Sequence, residues 1–261
     1  MNLDLTNKTA IVCGSTQGIG LASAKELSEM GANCVLVARN EEKLKNAIKE
    51  LDLSQNQNHQ YLVADFTQSE ELKFKLESFL VGKSVEILIN NTGGPAGGPA
   101  NAADTSEYLA AFNMHLICNH ILAQAVIPLM KTSGYGRIIN VISTSVKQPL
   151  PNLGVSNTIR GAVANWSKTL ANELGQFNIT VNNVLPGATD TVRLSSIIEN
   201  KASKTGQTKE EVRATMAAAS PMGRVARPEE VANAIAFLAS PAASYINGIN
   251  VPVDGGRTKS L

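Results

Sequence analysis

Short, almost wholly apolar runs alternate along this chain with longer stretches whose apolar positions recur every three or four residues. Residues 9–13 (Thr-Ala-Ile-Val-Cys) and 33–38 (Asn-Cys-Val-Leu-Val-Ala) have the composition of strands covered on both faces. Between them, residues 19–30 place Leu21, Ala24, Leu27 and Ser28 on one helical face, and Gly31 closes the helix as a C′ glycine. Residues 41–53 read as a helix with acids early and lysines later, in keeping with the macrodipole. Strands are predicted over 60–64, 85–90, 137–143, 179–185 and 249–253. Helices are predicted over 69–80, 105–130, 155–174 and 228–239, the last opening on Pro228. Strand and helix in strict alternation predict an α/β fold, a doubly wound parallel sheet with right-handed crossovers. No repeat and no linker interrupts it, so residues 1–261 read as one domain.

Two stretches break the pattern. Residues 92–103 are rich in Gly, Pro and Ala and lack periodicity. They follow a predicted strand end, which places them at the carboxyl edge of the sheet, where ligands bind. Residues 191–219 are polar and helical, interrupted at Thr205-Gly206-Gln207, and read as a mobile lid hinged at Gly206.

Composition narrows the function. A net charge of +1 with interspersed signs gives no footprint for nucleic acid. Cys13, Cys34 and Cys118 lie far apart in apolar contexts, and read as core thiols without a metal or redox role. No apolar run reaches membrane-spanning length, and residues 1–8 lack the pattern of a signal peptide, so a cytoplasmic protein without a membrane partner is expected.

The first strand runs into Gly14-Ser15-Thr16-Gln17-Gly18-Ile19-Gly20 at the start of the first helix. Gly14 permits a tight turn, Gly18 lets a pyrophosphate approach the backbone, and Gly20 allows close helix packing. The helix N-terminus adds free N–H groups and partial positive charge. This is a Rossmann-type dinucleotide site. The second strand ends in Ala38-Arg39, where an NAD site often holds an acid. An arginine can pair with a 2′-phosphate through two parallel hydrogen bonds, which favours NADP (NADPH) over NAD.

These glycines, together with Asn90-Asn91-Thr92-Gly93 and Asn182-Asn183-Val184-Leu185-Pro186-Gly187, resemble the short-chain dehydrogenase/reductase family, in particular its 3-oxoacyl-ACP reductase-like branch. The resemblance implies further cofactor contacts from Asp65 and the backbone of Phe66 at the adenine, from Asn91 and Gly93 at the ribose, and from Pro186, Gly187 and Thr191 over the nicotinamide. Thr92 stands where the family usually has Ala, and Cys13 where it commonly has Thr.

The resemblance also places a catalytic Asn at Asn113 and a catalytic Ser at Ser143. The family's Tyr-x-x-x-Lys then falls on Ser156-Asn157-Thr158-Ile159-Arg160, so Ser156 and Arg160 replace the working pair. Carbonyl reduction needs a proton donor. An aliphatic hydroxyl, near water at about 15.7, is a far weaker acid than a phenol near 10. Arg160 keeps the charge but cannot relay a proton. Three readings stay open: a reductase with another donor (Ser143, Ser145, a water held by Ser156 and Arg160, or His115), an NADP-binding sensor or regulatory protein, or a site holding an oxyanion for lyase or isomerase chemistry. His115, two positions past Asn113, reads as structural and turned from the same partners. Tyr108 and Tyr135 are the phenols nearest in sequence; the first reads as surface or interface, the second as lying at the opposite sheet end. The family further implies a small-molecule or acyl-thioester substrate, and a homo-oligomer, up to a tetramer, paired through the two long helices.

Overall fold

Seven parallel strands form one sheet in the order β3-β2-β1-β4-β5-β6-β7. The computed structural model describes residues 1–260. In chain order the strands are β1 Thr9–Cys13, β2 Asn33–Ala38, β3 Gln60–Val63, β4 Ile87–Asn90, β5 Gly136–Val141, β6 Ile179–Pro186 and β7 Asn250–Val253. The helices are α1 Gly18–Glu29, α2 Glu41–Ile48, α3 Ser69–Leu80, α4 Thr105–Phe112, α5 Cys118–Ser133, α6 Gly154–Leu174, α7 Val192–Thr205, α8 Lys209–Ala218 and α9 Pro228–Ala239.

Alternation along each strand sends its residues into two apolar layers. Ala10 and Val12 of β1 join Ala24 and Leu27 of α1 and Val231 and Ile235 of α9. Ile11 and Cys13 face the other way, onto Leu72 of α3, Leu122 of α5 and Leu170 of α6. The strand order reverses between β1 and β4, which both pair with neighbours in parallel register. The crevice outside their carboxyl ends is where such a sheet binds ligands. All three cysteines are buried and free, and burial pushes their thiols up.

Two predicted helices differ in the structure. The helix expected over 41–53 ends at Ile48. Leu51 drops into the core, and the Asp52 amide donates to the Ser28 hydroxyl (3.0 Å), so the chain folds back onto α1 before another turn can form. The helix expected over 105–130 runs to Ser133, where Gly134 takes the left-handed conformation. It is broken in the middle by a π turn over Asn113–Ile117. With that turn counted in, Thr105–Ser133 does have the length and hydropathy of a membrane span. Its Cys118, Leu122, Val126 and Met130 are buried against the sheet, as in a core helix.

Four strands are also tied by side chains. Asn90, Asn140, Asn183 and Asn250 stand in register on β4, β5, β6 and β7. The Asn90 amide donates to Asn140 (2.8 Å), Asn140 to Asn183 (3.1 Å) and to the Ser167 hydroxyl of α6 (2.9 Å), and Asn183 to Asn250 (2.8 Å). This polar row, buried at Asn90, Asn140 and Asn183, fixes the strand register beneath the crevice and anchors α6 above it.

Candidate active site

The glycine turn is shaped by what its glycines leave out. Gly14 has φ +60°, and a Cβ there would stand 2.6 Å from the Asn91 carbonyl oxygen. A Cβ on Gly20 would strike the Gly14 carbonyl and lie 2.8 Å from the Asn91 side-chain nitrogen. Asn91 donates to the carbonyls of Cys13 (3.2 Å) and Gly14 (3.4 Å), so the end of β4 clamps the turn after β1. The α1 N-terminus is left free for an anion. Gln17 at its cap makes no side-chain capping bond, and the first turn holds no acid. Ser15 Oγ is fully buried without a partner. A cradle of free amides with an orphaned hydroxyl fits a dinucleotide pyrophosphate. Thr191, the N-cap of α7, closes the far side, its methyl 3.0 Å from where a Gly18 Cβ would be.

Arg39 is exposed just past β2. Asp65 accepts from the Thr67 amide and hydroxyl (both 2.9 Å). Chiefly that amide, with the charge of Arg39 adding, holds the Asp65 carboxyl below its usual range. Phe66 is buried, its carbonyl accepting from the Cys118 thiol (3.2 Å). Gly93 is exposed at the start of the loop 92–103. Gly187 packs against Asp254 and donates its amide to Val253 (2.9 Å).

The residues expected to be catalytic stand on three segments. Asn113 opens the π turn, a distortion frequent at functional sites. Ser143 follows β5 and accepts from the Ser145 amide (3.1 Å). Ser156 and Arg160 lie on the first two turns of α6. That helix start is pinned to the loop 92–103: Gly98 and Gly154 exchange backbone bonds with Asn152 and Gly98 (2.9 Å each), and Gly154 sits directly on Ala100. Arg160 is buried, with Nη1 donating to the Val141 carbonyl (3.3 Å) at the end of β5 and Nε unpartnered. Burial, and then the like charge of Arg193, brings its guanidinium down to about 10, which leaves it protonated at neutral pH.

A model describing enoyl-(acyl carrier protein) reductases matches residues 14–258. The chain is 32% identical over 98% of its length to the whole NADPH-dependent reductase BacG of Bacillus subtilis. It is 30% identical over 97% of its length to 98% of a 3-oxoacyl-[acyl-carrier-protein] reductase, FabG, of Chlamydia trachomatis. The chain belongs to the short-chain dehydrogenase/reductase family. Among solved structures, the L-sorbose reductase of Gluconobacter frateurii, complexed with NADPH and L-sorbose, superposes over the full length of both chains at a TM-score of 0.93 and 30% identity.

Within this short-chain dehydrogenase/reductase, His115 departs from the sequence expectation. It is not turned from the site. Its Nδ1 lies 2.7 Å from the Thr92 hydroxyl, and its Nε2 is buried without a partner. The hydroxyl that replaces the family's usual Ala therefore has a specific partner, which neither residue announces alone. The π turn intervenes between Asn113 and His115, so α-helical angles do not apply across it. Burial first, then the charges of Arg160 and Arg193, lower the imidazole to about 3. The folded protein keeps it neutral, whereas the unfolded chain binds a proton below about 6.5. This contribution to stability is complete above about 6.5 and is lost as pH falls toward 3. Replacing both partners, Thr92→Ala with His115→Leu, is expected to flatten that acid limb in urea unfolding curves taken from pH 7 to pH 4. An unchanged limb would place the acid sensitivity elsewhere.

Tyr135 precedes β5 at the amino end of the sheet and donates to the Ala239 carbonyl (2.7 Å). Tyr108 packs with Val155 and Ile159 of α6, positions rotated by one residue from Ser156 and Arg160. Arg193 escaped the sequence reading. It begins the lid, and its Nη2 donates to the Pro95 carbonyl (2.7 Å), strapping α7 to the loop 92–103. Its only signal in the chain is a cation beside the resemblance-derived Thr191.

Proposed function

We propose that this protein is an NADPH-dependent oxidoreductase of carbonyl and alcohol substrates whose proton donor is not a tyrosine. The supporting observation is the pairing of an open, glycine-lined dinucleotide cradle with a buried guanidinium at the slot that the family fills with lysine. NADPH, when bound, supplies the hydride. Gly14, Ser15, Gln17, Gly18, Ile19 and Gly20 hold its pyrophosphate, Arg39 its 2′-phosphate, and Asp65 with the Phe66 backbone its adenine. Asn91 and Gly93 support the ribose side, and Pro186, Gly187 and Thr191 close over the nicotinamide.

On the substrate side, the Ser143 hydroxyl donates to the carbonyl oxygen and polarises it. The Arg160 charge, fixed by Val141 and shielded from water, opposes the negative charge that develops on that oxygen. The Ser156 hydroxyl, alone or through a water, passes a proton to that oxygen and is reprotonated from solvent. Asn113 at the π turn orders that proton path.

A fluorescence titration with NADPH and NADH, followed by turnover assays on ketones, oxo acids and 3-oxoacyl thioesters, tests this reading. NADPH should bind at least tenfold more tightly than NADH, one 2′-phosphate pair being worth about 1.4 kcal/mol or more. Ser156→Ala should slow turnover by roughly tenfold to a hundredfold without weakening NADPH binding. Tight NADPH binding with no turnover of any carbonyl would instead leave a sensor or regulatory protein.

A further inference from the structure

Two guanidiniums meet over the loop 92–103 with nothing negative between them. Arg160 Nη2 and Arg193 Nη2 lie 3.7 and 3.8 Å from the point where a Gly94 Cβ would stand. The two nitrogens are therefore separated by no more than the sum of those distances. Arg160 is 94% buried at the floor of the crevice, with Nε unpartnered, and Arg193 is exposed at its mouth. Among the described residues neither pairs with a carboxylate, whereas Lys209, Arg213 and Arg224 of the lid region each have one. His115 beside them stays neutral and offers no counter-charge.

We infer that the substrate is an oxo acid or its hydroxy acid, whose carboxylate is seated between Arg160 and Arg193 over Gly94. This rests on the oxidoreductase reading above and narrows its substrate class. A buried cation without a partner is costly, and a second cation beside it adds repulsion. A carboxylate removes both terms. Each nitrogen is near enough to the Gly94 Cβ position for a carboxylate centred there to accept a charge-assisted hydrogen bond from both. The planar guanidinium forks suit that group, and Gly94 leaves room for it because it has no side chain. The cofactor cannot neutralise the pair, since its phosphates are assigned to the glycine turn and Arg39. A ketone or thioester without a charge would leave both cations uncompensated. The contact between Arg193 and Pro95 also makes the site conditional on the lid, so an acid that engages Arg193 holds α7 against the loop.

The test compares 2-oxobutanoate with its methyl ester, first by calorimetric titration into the NADP⁺-saturated protein, then by turnover with NADPH. The acid should bind and turn over at least tenfold better than the ester. Arg193→Gln should cut that preference roughly tenfold to a hundredfold, as loss of a charged hydrogen bond does. Arg193→Lys should retain part of it by keeping the charge without the fork. Unfolding temperatures of both variants show whether the lid remains folded, and the lysine variant stands in if the glutamine one does not. Equal binding of acid and ester, or a preference untouched by both variants, overturns the assignment. Failure of the oxidoreductase reading looks different, because then neither the acid, the ester nor any other carbonyl is turned over with NADPH, whether or not NADP⁺ binds in the first step.

Discussion

Gly20→Ala is expected to weaken NADPH binding by more than a hundredfold. The added methyl would meet the Gly14 carbonyl and crowd the Asn91 side chain at 2.8 Å. Both are rigid. The Gly14 carbonyl belongs to a turn at φ +60°, and Asn91 is committed to holding that turn. The helix must therefore move, and the free amides at its start move with it. Overpacking of this kind costs about 1–3 kcal/mol of stability. The loss of amide geometry at the pyrophosphate costs more, because each displaced charged hydrogen bond is worth about 1.5–3 kcal/mol. A fall of more than a hundredfold in NADPH affinity should accompany a small drop in unfolding temperature. A variant that keeps its affinity would show that the pyrophosphate sits elsewhere. Gly94 is a useful contrast. A Cβ there meets nothing closer than 3.7 Å, so an alanine should leave cofactor binding and folding alone.

Returning Tyr and Lys to the slot should raise turnover of a neutral ketone by roughly a hundredfold to a thousandfold. Making the anion of an aliphatic hydroxyl instead of a phenol costs about five units. That is about 7 kcal/mol at 1.36 kcal/mol per unit. With proton transfer half complete at the transition state, about half of it reaches the barrier. Ser156 is half-buried and no side-chain partner holds it, so the exchange to tyrosine breaks no hydrogen bond. Stopped-flow measurement of NADPH oxidation by Ser156→Tyr/Arg160→Lys checks the figure. Ser156→Tyr alone should recover part, since the guanidinium can also lower a phenol. A double variant that binds NADPH normally and runs no faster would mean that proton delivery does not limit the reaction. The same variant is expected to lose affinity for oxo acids, because a lysine lacks the fork that faces Gly94.

The alternation of apolar runs and helical spacing foretold the doubly wound sheet, and the structure places each predicted strand within two residues of its predicted start. The five inner strands β2, β1, β4, β5 and β6 are buried on both faces, which leaves a strong, local trace in the chain. Gly14 was equally legible, since only glycine fits φ +60° with its Cβ position 2.6 Å from the Asn91 carbonyl oxygen. Helix ends were less so. Leu51 carries the apolar spacing of a longer α2, yet burial of its side chain on α1 ends the helix early.

By itself, then, the sequence determined the α/β fold class and the family, because both leave their marks in residues adjacent in the chain or in a simple period. Tertiary structure alone decided which distant groups meet. It set Thr92 against His115, lined up four asparagines across four strands, and brought Arg193 over Gly94 from 99 positions away. Such pairings leave no periodic mark, since the chain between the partners is free to vary. They arise only when the sheet order and the π turn have fixed where each side chain can reach.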